Sequence, residues 1–184
     1  MNVSILHKDF KAFNRKSQRG ASLLEGIAYL GIAALVILGA VSLLTGAFSS
    51  AQSNRGMEEV SAIRTNVKKL YMGQANSYGT VDMTVALNTA GVFPSTLAYD
   101  GAAKMVNTWG GNVTVAGTGS TQFTIEYTAI PQDACITMLS GATGWVSVTG
   151  NGTTLNAFPV TPTNAATVCT VSGAAGNTVD FVSL

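Results

Sequence analysis

Histidine is almost missing from this chain, and charge is scarce. The single histidine, His7, lies within the first twenty residues. Ser-His-Asp and Cys-His catalysis, and any histidine-based metal site, are therefore excluded from the rest. Charged side chains make up 10% of the 184 residues, against about a quarter in ordinary soluble domains. That excludes a disordered acidic or basic tail and argues against a highly charged cytosolic enzyme. No glycine-rich loop that could cradle a phosphate is present. Asp82, Asp100, Glu126 and Asp133 stand far apart in sequence, so no carboxylate pair for acid–base work can be proposed. Neither a cofactor nor a metal is expected.

The few charges are unevenly placed. Lys8, Lys11, Arg15, Lys16 and Arg19 face only Asp9 within residues 1–20, a balance of +4 in a chain whose total is +1. Residues 21–184 are therefore acidic overall. The basic excess belongs to a short N-terminal piece, so no nucleic-acid partner is implied.

What the chain does have is a long apolar run. Residues 26–54 carry no charge, and Ile27 to Phe48 is apolar enough to cross a hydrocarbon layer of about 30 Å as a helix. Basic residues precede it, which places the N-terminus in the cytoplasm and the body outside. A secretory signal peptide would be shorter and would end in a small-residue cleavage site. A plain single-pass anchor is the other alternative, but it has no use for Glu25 at the edge of the run. A carboxylate inside a bilayer costs roughly 2.5–3.5 kcal/mol even on lenient insertion scales. Its natural partner is a cation on another helix or a free amine.

The string Arg19-Gly20-Ala21-Ser22-Leu23-Leu24-Glu25, between a charged leader and an apolar helix, resembles the type IV prepilin signature. That resemblance implies a prepilin peptidase cutting between Gly20 and Ala21 and methylating the new N-terminus. It also implies an assembly role for Glu25, fifth residue of the mature chain. The long leader and the Ala21 start point to the type IVb branch. Along the body, Leu70-Tyr71-Met72-Gly73-Gln74 with Leu87-Asn88-Thr89-Ala90 resembles the helix-to-sheet loop of bundle-forming pilins. Asn107-Thr108-Trp109-Gly110-Gly111 resembles their first sheet entry, and Asp133-Ala134-Cys135, Cys169 and Val179–Val182 resemble their C-terminal region.

Met57, Val60, Ile63, Val67 and Leu70 or Tyr71 form one apolar stripe at helical spacing. One helix from Ala21 to a stop at Gly73 would be about 80 Å long at 1.5 Å per residue. The alternative is two helices kinked near Gly46 or Gly56. Residues 74–184 hold 20 threonines and 13 glycines. Alternation predicts strands over Asn112–Ala116, Gln122–Thr128, Trp145–Thr149 and Thr178–Ser183, with a short helix over Ala134–Leu139. The expected architecture is α+β: a long N-terminal helix, apolar in its first half, packed against an antiparallel sheet as in the pilin fold. In an oxidising periplasm Cys135 and Cys169 are expected to pair, with two buried thiols as the alternative.

The resemblance therefore implies a structural subunit without catalysis. Its partners would be membrane lipid before assembly, inner-membrane assembly machinery, and copies of itself in a helical filament used for adhesion, aggregation or mating-pair contact. Gly39 and Gly46 in the apolar helix are expected to serve assembly, by local loosening or by close helix packing. A type II secretion pseudopilin and a membrane-anchored binding protein that never polymerises remain the other readings.

Overall fold

The computed structural model describes residues 22–74 and 78–184. Helix α1 runs unbroken from Leu23 to Leu70, so there is one helix rather than two. Glu25 in its first turn and Lys68 and Lys69 in its last turn both complement the helix dipole. The turn that follows reaches Gly73, whose φ of +91° is costly for other residues and marks the helix stop.

Ten further elements follow: α2 (Thr84–Thr89), β1 (Ala98–Tyr99), β2 (Met105–Val106), β3 (Asn112–Gly117), β4 (Phe123–Ile130), α3 (Gln132–Gly141), β5 (Ser147–Gly150), β6 (Thr153–Leu155), α4 (Pro162–Val168) and β7 (Asn177–Ser183). The strands form one antiparallel sheet in the order β1-β2-β3-β4-β7-β5-β6. The last strand thus lies between β4 and β5 and closes the sheet.

Strict alternation in β3, β4 and β7 turns Val113, Val115, Phe123, Ile125, Tyr127, Val179 and Phe181 to the inner face. Against that face lie Val60, Ile63 and Val67 of α1, each at most 2% exposed. Met57 and Tyr71 of the expected stripe are partly buried, whereas Leu70 is exposed. Residues 43–184 form one compact unit. The second half of α1 thus contributes Val60, Ile63 and Val67 to the head's core.

Several expectations shift. The stretch Leu87–Ala90, expected within a loop, contains the second half and the C-cap of α2, where Leu87 is buried. Two short strands precede Asn107–Gly111, which forms the turn between β2 and β3 rather than the first entry to the sheet. Helix α4 was not foreseen, because its Pro-Thr-Asn start reads as loop; Thr161 caps it by accepting from the Asn164 amide. Trp145, expected at the start of a strand, precedes β5 and packs its ring 5.2 Å from that of Phe181.

Helix α3 packs beside α1 through a gap made by Gly56. A Cβ there would lie 2.8 Å from Trp109 Cη2 and 3.1 Å from Met138 Sδ. Cys135 of α3 and Cys169 at the end of α4 form the disulfide, with 5.9 Å between Cα atoms. Both are fully buried. In the chain-entropy model a loop of this size contributes roughly 3–4 kcal/mol.

Overpacking at the α1–α3 contact should be measurable. Gly56→Leu is expected to destabilise the folded unit by about 1–3 kcal/mol, read as a lower Tm of the full chain in detergent. Gly31→Ala, where no atom lies within 4 Å of the added methyl, should leave Tm unchanged or slightly raised.

Candidate assembly surfaces

The first surface is the apolar half of α1. Its large side chains are exposed: Leu35 is 72% exposed, Leu38 67% and Leu43 79%. An 18-residue window of this helix has a mean hydropathy of 2.5 with none of it buried within the chain. Water is a poor solvent for such a surface, so lipid or other apolar helices must cover it. Near its start the Tyr29 hydroxyl donates to Glu25 Oε1 at 3.2 Å. This donor is neutral and brings no positive charge to the carboxylate. At Gly39 and Gly46 an added Cβ would meet nothing within 4 Å. Among the described residues, no side chain crowds either position. Gly20 and Ala21, the expected processing site, lie outside the described residues.

The second surface is the outer face of the sheet. Its register aligns Thr114 of β3, Glu126 of β4, Asp180 of β7, Thr149 of β5 and Thr154 of β6 in one row across five strands. The Thr149 and Thr154 hydroxyls lie 2.9 Å apart. Glu126 and Asp180 are directly opposed, and like charges so placed are unfavourable. Partial burial, then the Glu126 charge, pushes the Asp180 carboxyl up to about 6. Separation in sequence argued against any carboxylate pair; the β4–β7 register makes one. Alternation alone could have put both residues on the outer face, but nothing local says that β7 neighbours β4.

The third surface is basic and lies on α1. A cleft of about 510 Å³ is lined by Ser61, Arg64, Thr65, Lys68, Lys69 and Met72. Arg64 is already engaged. Its Nε donates to Ser183 Oγ at 3.1 Å, its two terminal nitrogens donate to the Thr143 and Gly144 carbonyls, and its guanidinium lies 4.6 Å from the Trp145 ring centre. Burial and the Arg64 charge hold the Lys68 ammonium below its ordinary value.

Two buried polar groups missed by sequence reasoning hold these surfaces in register. Asn177 donates to the Ile130 carbonyl at 3.0 Å and the Val171 carbonyl at 2.9 Å, and accepts from the Val171 amide and from Asn151. It thereby joins the start of β7 to the end of β4 and the loop after α4. Glu59 is 3% exposed, and the Tyr127 hydroxyl approaches its Oε2 at 3.5 Å. Burial raises its carboxyl, while Thr96, Arg55 and Tyr127 oppose that rise. Asp133, near the start of α3, accepts a hydrogen bond from Ser49 of α1. Among the described residues, no three His, Cys, Asp or Glu side chains cluster as a metal site would require.

Comparison with known proteins follows the same lines. A family model described as PilS N terminal matches residues 50–184. The major structural subunit of bundle-forming pilus from Escherichia coli O127:H6 is 26% identical over 178 residues, covering 86% of this chain and 91% of that protein. Its counterpart from Escherichia coli O111:H- is 26% identical over 179 residues, with the same coverage. Among solved structures, a type IVb pilin from Salmonella typhi superimposes with a TM-score of 0.57 at 26% identity, covering 68% of this chain and 95% of that one. TcpA, a type IV pilin from Vibrio cholerae El Tor, has a TM-score of 0.54, covering 73% of this chain and 99% of its own; at 13% identity it supports the fold alone.

The opposed carboxylates generate a pH-dependent prediction. An acid whose folded pKa is raised binds its proton more tightly when folded, so ionising it costs stability. For Asp180 that cost is absent below about pH 4, the unfolded value. It grows as pH rises toward the folded value of about 6 and is complete above it. Asp180→Asn should therefore stabilise the full chain at pH 7.5, by about 1 kcal/mol once solvent screening at this half-exposed site is counted. The gain should vanish at pH 4. Thermal unfolding of both chains at the two pH values checks it, and a gain equal at both would contradict it.

Proposed function

The chain belongs to the family described as PilS N terminal, and we propose that it is the major structural subunit of a type IVb pilus. Its work is polymerisation, with no catalysis of its own. One observation carries this reading: an apolar helical segment with no protein cover continues into a helix whose second half is the core of a folded head. A cut between Gly20 and Ala21 by a prepilin peptidase would leave a subunit held in the inner membrane by this segment, its head in the periplasm. Assembly machinery would then extract the subunit, and the segment would exchange lipid for the helices of neighbouring copies. That exchange has little hydrophobic driving force, because lipid tails are as apolar as leucine. Specificity must come from packing and from charge, which gives Glu25 and the small residues their roles.

Glu25 is proposed to pair with the amine freed at Ala21 of an adjacent subunit, the one new cation that processing creates. Gly39 and Gly46, where an added Cβ would touch none of the described residues, would let helices approach closely or let the chain loosen between them. Backbone groups freed by loosening can be satisfied in a protein bundle but not in lipid. Adhesion, aggregation and mating-pair contact are the uses proposed for the filament.

Two measurements test this reading. Intact mass of the subunit from sheared filaments should correspond to a chain starting at Ala21, and Glu25→Ala should insert in the membrane yet yield few filaments. Breaking a buried charge pair on one side typically costs 3–5 kcal/mol, so wild-type filament yield from that variant would remove Glu25 from the mechanism. For the glycines, a filament density map decides between loosening and packing. Unbroken helix from residue 21 to residue 70 would leave packing alone, with Gly39→Ala still impairing assembly.

A further inference from the structure

The basic residues of the head are concentrated on one element. Of the five basic residues beyond residue 20, Arg55, Arg64, Lys68 and Lys69 lie on α1 and only Lys104 lies elsewhere. The middle of the outer sheet face instead carries Glu126 and Asp180 side by side. Both groupings are unfavourable within one subunit. The two carboxylates repel each other, and Lys68 is crowded by Arg64. Arg64 is spent on its own subunit and Arg55 interacts with Glu59, so Lys68 and Lys69 are the adjacent cations left at the C-terminal end of α1. Lys69 is exposed and Lys68 partly so.

The placement also matters. The core face of α1, at Val60, Ile63 and Val67, is turned toward the inner side of the sheet. Lys68 and Lys69 border a cleft on α1 outside that core, and Glu126 and Asp180 alternate with the buried residues of β4 and β7 and so lie on the outer side. A basic patch and an acidic patch on opposite sides of one body cannot neutralise each other within it. They can do so between copies, and a contact between two different patches repeats without closing on itself unless the rotation happens to form a ring. That is the contact type an open helical filament needs.

The geometry points to a docking surface for a second copy of this chain: the Glu126–Asp180 row on the outer sheet face of one subunit receives Lys68 and Lys69 of its neighbour. Flanking Thr114 and Thr149 place hydroxyls on either side of the carboxylates, suited to hydrogen-bond the ammonium groups as water leaves. The contact explains why a like-charge pair that destabilises the isolated subunit is present at the centre of its sheet. It rests on the filament reading above, and supplies the side-to-side contact between heads that the apolar helix does not.

The test uses the full-length chain in cells that assemble it, with filament yield measured in sheared surface material and subunit level measured in the membrane. E126Q/D180N should keep or raise subunit level, since it removes the internal repulsion, yet cut filament yield at least tenfold. K68Q/K69Q should do the same. Combining E126K/D180K with K68E/K69E in one chain should bring yield back to within threefold of wild type, while either reversal alone abolishes it. Wild-type yield from either neutral variant would overturn the docking surface, as would a combined reversal no better than its halves. If the unaltered chain itself forms no filaments, the filament reading falls instead, and the docking surface falls with it.

Discussion

The seam between the second half of α1 and the inner face of the sheet holds the head together. Val60, Ile63 and Val67 recur at three- and four-residue spacing, and they meet strands whose inward residues recur every second position. Two different periodicities are thereby buried against one another, which is what an α+β layer requires. Every other element takes its place from this layer. Helix α3 lies beside α1 because Gly56 leaves room for Met138 and Trp109. The disulfide then ties α3 to α4, and Asn177 ties the start of β7 to the end of β4.

The same helix answers to two solvents along its length. From Ser53 onward its inward face is protein-covered, whereas the large residues between Leu23 and Phe48 are not. An uncovered apolar surface of this size is tolerable only in lipid or against other helices, so the fold of one copy leaves a demand that another environment must satisfy. Glycine is informative by contrast. Gly56 is required by its neighbours inside the head, whereas among the described residues an added Cβ at Gly39 or Gly46 would meet nothing within 4 Å.

Electrostatics shows a similar division. In so sparsely charged a chain, each cluster stands out against its background. Arg64 is absorbed into the head by Ser183, two carbonyls and the Trp145 ring. Glu59 is buried under the loop that carries Thr96. Lys68, Lys69, Glu126 and Asp180 are left at the surface beside charges of their own sign. Groups that cost stability in the isolated subunit are natural places to look for contacts between subunits.

Much was legible in the residue string because it depends on local periodicity. The uncharged run, the amphipathic stripe, the glycine stop near residue 73, and the strands covering Val113, Ile125 and Phe181 all follow from repeats of 3.6 or 2 residues. The prepilin-like string around Glu25 and the cysteine pair were legible too, as a resemblance and a compartment argument. What local pattern could not supply was adjacency across the chain. Helices α2 and α4 are short and polar, and they form because the sheet and the disulfide give Leu87, Ala165 and Val168 something to bury against. Strand order is likewise non-local: β7, which begins at Asn177, enters between β5 and a β4 that ends at Ile130, and no neighbouring residue announces it. For that reason the meeting of Glu126 with Asp180 was decided by tertiary structure. Outward alternation placed each carboxylate on a face, but only the register of distant strands placed one beside the other.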